Sequence, residues 1–397
     1  MNKLKNIGIS ALAGTLVSLS AAQAGGVSVT GAWELSYTNL NHTKVTGNPI
    51  GVKKNMSFGA SGDVSDGGAV TWATTVGMTD AFGLDSASLS LNMGGIATLA
   101  YDSGTGGYGA NAVDNIVPTA WEEIDYGLST GITDVGAVSA TKGSVHFSVK
   151  APTAGSGLSI SYASRMGAGH QADGATSTAG EASGKGVDVV VDFVDYDAAH
   201  FGFRWGIAGQ MEFPEETCYK DDKTNRVHSG TSKASCIAGH KHNPFAGTMY
   251  TKLQLGPLHL GTQGTFKDPS DPTIAGIQNK RSIVAGAALV FGDTLSISYG
   301  EAWDRYKYNN ACRGGDGVLF ATDGINEQQC GGARIEGGAS GGEYETIKFQ
   351  GWSAALNLGP VALKGTRNTV GGWGEGSSNT GDGLDKTHSE INLSIAF

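Results

Sequence analysis

The sequence predicts an all-β protein: a transmembrane, antiparallel, up-and-down β-barrel of about sixteen strands, with a long third loop folded into its lumen. Three observations carry this. First, Ser389 to Phe397 alternates strictly, with Ile391, Leu393, Ile395 and Phe397 on one face and Glu390, Asn392, Ser394 and Ala396 on the other. Successive strand side chains point to opposite faces, so one face is apolar and the other polar. Second, the same alternation recurs about fifteen times upstream, which one half-buried sheet of a soluble sandwich does not need. Third, beyond the N-terminus no stretch approaches the ~20 consecutive apolar residues of a membrane helix. Gly is 63 of 397 residues and Pro only 9, which suits tight turns and closely packed strands.

Residues 1–24 read as a secretory signal peptide. Lys3 and Lys5 form a charged start, Ile7 to Leu19 an apolar run, and Ala22-Gln23-Ala24 an A-x-A cleavage site. The run is too short for a membrane anchor. Cleavage leaves 373 residues, 25–397, as one barrel domain, and removing Lys3 and Lys5 takes the formal charge from −10 to −12. A chain this acidic is a poor nucleic-acid binder. Its 39% apolar content is modest for a soluble core of this size and fits a barrel that is greasy outside and wet inside.

The strands follow in order. Val27, Val29, Trp33, Leu35 and Tyr37 form the first apolar face. Met56, Phe58, Ala60 and Val64 lead to the turn Ser65-Asp66-Gly67-Gly68, and Val70, Trp72, Val76 and Met78 return. Leu89, Leu91 and Met93 reach Gly94-Gly95 and come back through Leu99 and Tyr101. A non-periodic segment, Asp102 to Gly143, interrupts the pattern. Val145, Phe147 and Val149 resume it, followed by Leu158, Ile160, Tyr162 and Met166. After a Gly/Ser/Ala-rich loop, Val187 to Phe193 pairs with Phe201 to Met211. Hairpins then close at Gly256-Pro257, Gly292-Asp293 and Gly359-Pro360, and the terminal strand ends the set. Eight long loops alternate with seven short turns, so both termini fall on one side.

Cys218 and Cys236 are 18 positions apart, as are Cys312 and Cys330, and each pair falls in a polar, non-periodic segment. In an exported protein this spacing suggests disulfides. Of three possible pairings, Cys218–Cys236 with Cys312–Cys330 ties off one loop each, worth roughly 3 kcal/mol per loop in the chain-entropy picture. The competing reading, a metal site of Cys218, Cys236, His240 and His242, matches no standard zinc spacing. The stretch Gly104-Thr105-Gly106-Gly107-Tyr108-Gly109 fits G-x-G-x-x-G, but no helix-forming run follows it. There is no H-E-x-x-H, and nothing singles out a Ser/His pair, so no enzyme is expected. No cofactor is expected either; a second metal reading places calcium at the outer rim, on acids such as Asp268 and Asp271.

In lipid an unpaired sheet edge costs several kcal/mol per backbone group, so the first and last strands must pair. A cylinder of sixteen strands is too wide for side chains to fill. Arg204, Lys252, His259, Lys364, His146, Lys150, Asp192 and Glu390 lie on the polar faces and are read as a solvated inner wall. The 102–143 segment mixes Ile116, Val117, Trp121, Ile124 and Tyr126 with Asp114, Glu122, Glu123, Asp125 and Asp134. A loop in water has no need of Trp121, Ile124 and Tyr126; one folded against the inner wall does.

The terminal residues Ile391, Leu393, Ile395 and Phe397 resemble the assembly signal of Gram-negative outer-membrane barrels. In architecture the whole mature chain resembles the general porins of those membranes, sixteen-stranded and trimeric. The resemblance implies a water-filled channel for passive diffusion of small hydrophilic solutes and ions, in the outer membrane of a Gram-negative bacterium. It implies a third loop whose carboxylates (Asp114, Glu122, Glu123 and Asp125) face basic wall residues (Arg204, Lys252, Lys364, and His146 or Arg165). It also implies a homotrimer among outer-membrane lipid and lipopolysaccharide, delivered by the barrel assembly machinery. Two features depart from the family: the second loop, near Thr79 to Leu84, is short, and lumen arginines are few. With acids outnumbering bases, a weak cation preference is expected. The alternative is a substrate-selective channel or transporter with a solute site in the lumen.

Overall fold

Alternation builds the wall, and closure removes its edges. A computed structural model describes residues 24–40, 48–64, 69–78, 84–128, 135–150, 156–164, 166, 184–197, 201–213, 218–221, 226–229, 242–270, 277–308, 344–371 and 386–397. Its first nine strands are β1 (Ala24–Leu40), β2 (Ile50–Asp63), β3 (Val70–Met78), β4 (Leu84–Met93), β5 (Ala97–Ser103), β6 (Ser144–Lys150), β7 (Gly157–Ala163), β8 (Lys185–Asp197) and β9 (Phe201–Phe213). A small hairpin follows, β10 (Cys218–Asp221) and β11 (Arg226–Ser229). The rest are β12 (Phe245–Leu255), β13 (Leu258–Asp268), β14 (Ile277–Phe291), β15 (Leu295–Tyr308), β16 (Tyr344–Leu358), β17 (Val361–Gly371) and β18 (Lys386–Ala396).

All strands except β10 and β11 join one closed barrel in which each strand pairs antiparallel with its chain neighbour and β1 pairs with β18. Sixteen strands are therefore present, as the alternation predicts. The hairpin β10–β11 stands apart, in the segment that the sequence reads as a loop without periodicity. The closing seam extends to Phe397: the Gly31 amide donates to the Phe397 carbonyl at 2.9 Å, and the Phe397 amide donates back at 3.0 Å.

Short turns close one rim. Gly94, Gly256, Gly292 and Gly359 hold φ of 62°, 57°, 58° and 69°, the left-handed region that glycine enters without strain. The outer face carries exposed large apolar side chains all round, among them Trp33, Leu89, Phe147, Ile160, Ile207, Met249, Ile283 and Leu393. The inner face carries the buried polar set, including His146, Asp188, Gln210, Gln263, Ser298, Ser353, Asn368 and Asn392.

Part of the inner face is apolar. Val284, Ala302, Ile347, Phe349 and Val370 form a buried cluster with Ile124 and Leu128 of the 104–143 segment. A second cluster joins Ala110, Val113 and Ile116 to Val190, Ala208 and Tyr250. A third joins Val138 to Ala163 and Met166. Apolar wall residues thus lie where the long segment packs. Met166, expected on the outer face of a strand, is buried beside Val138, because β7 stops at Ala163.

The leader lies outside the described residues except for Ala24, which begins β1. The side chains of Cys218, Cys236, Cys312 and Cys330 also lie outside them, as do Arg165, Asp134, His240 and Asp271.

Candidate functional site

The 104–143 segment, described over 104–128 and 135–143, is built to lie against the wall. It leaves β5 through Gly104, Gly106, Gly107 and Gly109, with φ of 94°, 72°, 79° and 51°. The Asp102 carboxylate fixes this exit by accepting from the amides of Thr105 at 2.8 Å and Gly106 at 3.1 Å, and from the Thr105 hydroxyl. The glycine pattern that mimics a nucleotide loop is thus a turn. A short 3-10 helix, Gly109–Val113, then packs on β7, β8 and β9. At Gly109 a Cβ would stand 2.5 Å from Asp188 Oδ1, so only glycine fits.

Beyond Val113 the segment crosses the inner wall strand by strand, tied down by inward side chains. Ile116 N donates to Gln263 Oε1 of β13 at 3.1 Å, and Gln263 Nε2 donates to the Asp114 carbonyl. Ala120 N donates to Ser298 Oγ of β15 at 2.8 Å, and Trp121 N to Ser353 Oγ of β16 at 3.2 Å. Asn368 Nδ2 of β17 donates to the carbonyls of Glu123 and Tyr126, both at 3.0 Å. On the return, Val138 N donates to Gln210 Oε1 of β9 at 3.2 Å. An irregular backbone laid on a wall must find partners for its amides and carbonyls, and these side chains supply them.

Space for the segment comes from a glycine row. Gly261, Gly286, Gly300 and Gly351 face inward on β13, β14, β15 and β16, each opposite the next in register. A Cβ on Gly286 would stand 2.7 Å from Val117 Cγ1, and one on Gly351 would stand 2.9 Å from the Ile124 Cα. A Cβ on Gly261 would strike Pro118, and one on Gly300 would strike Ile124. Sequence reading assigned the glycines to turns and general strand packing. The signal was available as one inward glycine per strand on four consecutive strands, but only once the register is known.

The acids of the segment separate by role. Asp114 Oδ1 accepts from Val135 N at 3.1 Å and ties the two limbs together. A Glu123 carboxylate oxygen accepts from Asn115 Nδ2 at 2.6 Å. Asp125 is buried. Glu122 is half-buried and presents its charge to the wall at the β1–β18 seam. Burial lifts its carboxyl above the usual glutamate range; the negative charges of Glu390 and Glu34 lift it further, while Lys364 and Lys53 oppose them. Burial also raises the Tyr126 hydroxyl, followed by Glu390, Glu122 and Glu34.

The basic candidates are dispersed. Lys364 Nζ lies 5.8 Å from the Trp121 ring centroid, beside Glu122. Arg204 grips Asp192, with Nε 3.0 Å and Nη2 2.7 Å from Oδ2, and Tyr250 Oη donates to Asp192 Oδ1 at 2.8 Å. Lys252 stands directly opposite Arg204 on the inner face of β12. His146 does not line an open passage: it is buried, its ring nitrogens sit 2.9 Å from Ser144 Oγ and Ser161 Oγ, and Tyr108 stacks on it at 4.6 Å. Glu34 and Lys53, paired across β1 and β2, and Glu390 were not among the constriction residues read from the sequence. Acid and base meet around Glu122 on the wall at the seam, while Arg204 and Lys252 lie half-way round the barrel, on β9 and β12.

The rim acid Asp268 is 3.1 Å from His242 Nε2 and accepts from Ser270 N at 2.8 Å. Among the described residues no three His, Cys, Asp or Glu side chains come together as a metal site.

No protein-family model matches the chain, and no curated protein matches it. Solved structures do. OmpT, an outer membrane protein of Vibrio cholerae in its trimer form, has a TM-score of 0.57 at 11% identity, over 94% of this chain and 100% of that one. Salmonella typhi OmpF, in complex with daunomycin, scores 0.55 at 10% identity, over 94% and 97%. An anion-selective porin from Comamonas acidovorans scores 0.52 at 14%, over 94% and 99%. The chain has the fold of these Gram-negative outer-membrane barrels.

Proposed function

We propose that this chain is a porin of a Gram-negative outer membrane, a water-filled channel that small hydrophilic solutes and ions cross by passive diffusion. The observation that carries the reading is the 104–143 segment fastened along the inner wall of a sixteen-strand cylinder. Such a cylinder leaves a lumen that side chains do not fill. A segment laid inside it sets the width and lines the passage with Glu122, Lys364 and the wall charges at the seam. The apolar outer face suits lipid, and strands need no apolar helix to cross it.

Glu122, Glu34 and Glu390 against Lys364 and Lys53 leave one net negative charge at the narrowing, which favours cations weakly. Catalysis is not part of the reading. His146 and its two serine partners, Ser144 and Ser161, are buried, with Tyr108 stacked on the imidazole. Leader removal, the two disulfides and assembly into a homotrimer with lipopolysaccharide around it complete the proposal. The trimeric form of the Vibrio cholerae neighbour supports the last of these.

The test is planar-bilayer recording of the purified mature protein in a salt gradient. Stepwise conductance that does not saturate with solute, with a small cation-side reversal potential, is expected. Absence of channels, or saturation at low solute concentration, overturns simple diffusion.

A further inference from the structure

Asp188 is a carboxylate without a partner in a sealed place. It lies on the inner face of β8, is 1% exposed, and neither of its oxygens has a hydrogen bond. No Lys or Arg among the described residues pairs with it. Its neighbours across the ladder are Ser161 of β7 and Gln210 of β9. Both are engaged elsewhere: Ser161 Oγ lies 2.9 Å from His146 Nδ1, and Gln210 Oε1 accepts from Val138 N at 3.2 Å. Val190, the next inward residue of β8, packs with Ala110 and Val113 in an apolar cluster.

The exit of the 104–143 segment covers the acid. A Cβ on Gly109 would stand 2.5 Å from Asp188 Oδ1 and 2.9 Å from Oδ2, and would strike Ser161 Oγ. Oxygens of two side chains thus converge on the face of a residue that has no side chain, and no donor bonds the carboxylate. An ionised carboxylate is costly in such a place unless something meets its charge. A proton on one oxygen leaves a hydroxyl and a carbonyl, both still without partners. A trapped water needs roughly two to four polar partners and leaves the charge where it is. A cation meets both oxygens at once.

The donors select the kind of cation. A carboxylate and a hydroxyl are hard oxygens, and both nitrogens of His146 are turned to hydroxyls, Nε2 to Ser144 Oγ and Nδ1 to Ser161 Oγ. Zinc and copper prefer nitrogen and sulfur, and magnesium keeps several waters around it. Calcium accepts a bidentate carboxylate in an irregular cage of oxygens. A second negative charge, on Asp102, acts on His146 together with that of Asp188 and adds to the attraction for a dication.

We infer that Asp188 and Ser161 hold a calcium ion beneath Gly109, and that the ion fastens the exit of the 104–143 segment to β7 and β8. Calcium takes about six to eight oxygens. The two side chains supply the carboxylate pair and a hydroxyl, and backbone carbonyls and water carried in with the ion supply the rest. The site is distinct from the rim acid Asp268 and from the charges around Glu122.

The test uses the mature chain refolded in detergent without lipopolysaccharide, which carries cations of its own, and then stripped with EGTA. Calcium is titrated back. Bound metal is counted by mass spectrometry after dialysis, and hydrogen exchange is followed over residues 104–113. Wild type is expected to bind one calcium ion per chain more than Asp188→Asn. Its 104–113 amides are expected to exchange about tenfold or more slower with calcium than without, and those of Asp188→Asn at one rate in both. Ser161→Ala is expected to keep the site and bind calcium about tenfold more weakly. It carries the test if Asp188→Asn shows no folded barrel on an unboiled gel. Equal calcium in wild type and Asp188→Asn, or unaltered affinity in Ser161→Ala, overturns the inference. So does wild-type exchange that calcium leaves unchanged, or that sodium alone slows as much.

Discussion

Gly300 lies directly beneath Ile124: a Cβ on the glycine would stand 2.8 Å from Ile124 Cγ1. The loop that crosses the lumen is therefore seated by the absence of side chains on β13 to β16 as much as by bonds. Gly300→Val places two methyls where Ile124 sits, and overpacking of this kind costs about 1–3 kcal/mol. The barrel's own ladder is unaffected, so the segment gives way instead. Single-channel conductance is expected to rise and reversal potential to fall toward zero, while the unboiled barrel still runs fast on a gel. A variant with unchanged conductance would place the segment away from the narrowing.

Asn368 holds two loop carbonyls with one amide, those of Glu123 and Tyr126. Asn368→Ala leaves both to find water, at about 1 kcal/mol each. The loss is local. Amides of residues 120–128 are expected to exchange hydrogen faster by roughly tenfold or more, at the factor of ten per 1.4 kcal/mol that equilibrium constants follow. The melting of the barrel should not move. Exchange measured by mass spectrometry on the detergent-folded protein decides it.

The strand pattern was legible because two solvents meet across one sheet. Trp33, Leu35 and Tyr37 outside and Glu34, Ser36 and Thr38 inside leave a period of two that no tertiary detail blurs. The constriction was less legible, and for a physical reason. Asp114, Glu122, Glu123 and Asp125 look alike in sequence, yet Asp114 and Glu123 bond within the segment, Asp125 is buried, and Glu122 meets the charges at the seam. Which role each takes depends on how an irregular backbone turns, and no periodicity records that. Phe349 and Val370, apolar on an inner wall read as wet, become intelligible only with Ile124 and Leu128 lying on them.

Glu122 provides a pH test with a definite sign. Its folded-state carboxyl is raised above the usual range, first by burial and then by Glu390 and Glu34. The fold therefore favours the neutral form, and the charged form weakens it at neutral pH. Stability linked to this group is present below the ordinary glutamate value near ~4.3 and is lost as pH rises through the raised value. Glu122→Gln should melt higher than wild type at pH 8 and at the same temperature at pH 4. Cation preference of the wild type should weaken as pH falls through the raised value, and that of Glu122→Gln should not. Equal melting differences at both pH values would remove Glu122 from the charged cluster.

Phe397 separates closure from delivery. Its amide and carbonyl both bond Gly31, while its ring lies over the same glycine, where a Cβ would stand 2.6 Å from Cζ. Phe397→Ala keeps the backbone bonds and removes only an exposed ring, so barrels refolded in detergent should close and melt within a few degrees of wild type. If the terminal alternation of Ile391, Leu393, Ile395 and Phe397 is read by an assembly machinery, the same variant should accumulate unfolded in cells while refolding normally in vitro. Gly31→Leu reverses the logic: it keeps the ring but crowds it on the seam, so it should slow refolding in detergent. Comparing refolding rates with the folded fraction recovered from cell envelopes tests both. An envelope yield equal to wild type for Phe397→Ala would show that the ring is not what such a machinery reads.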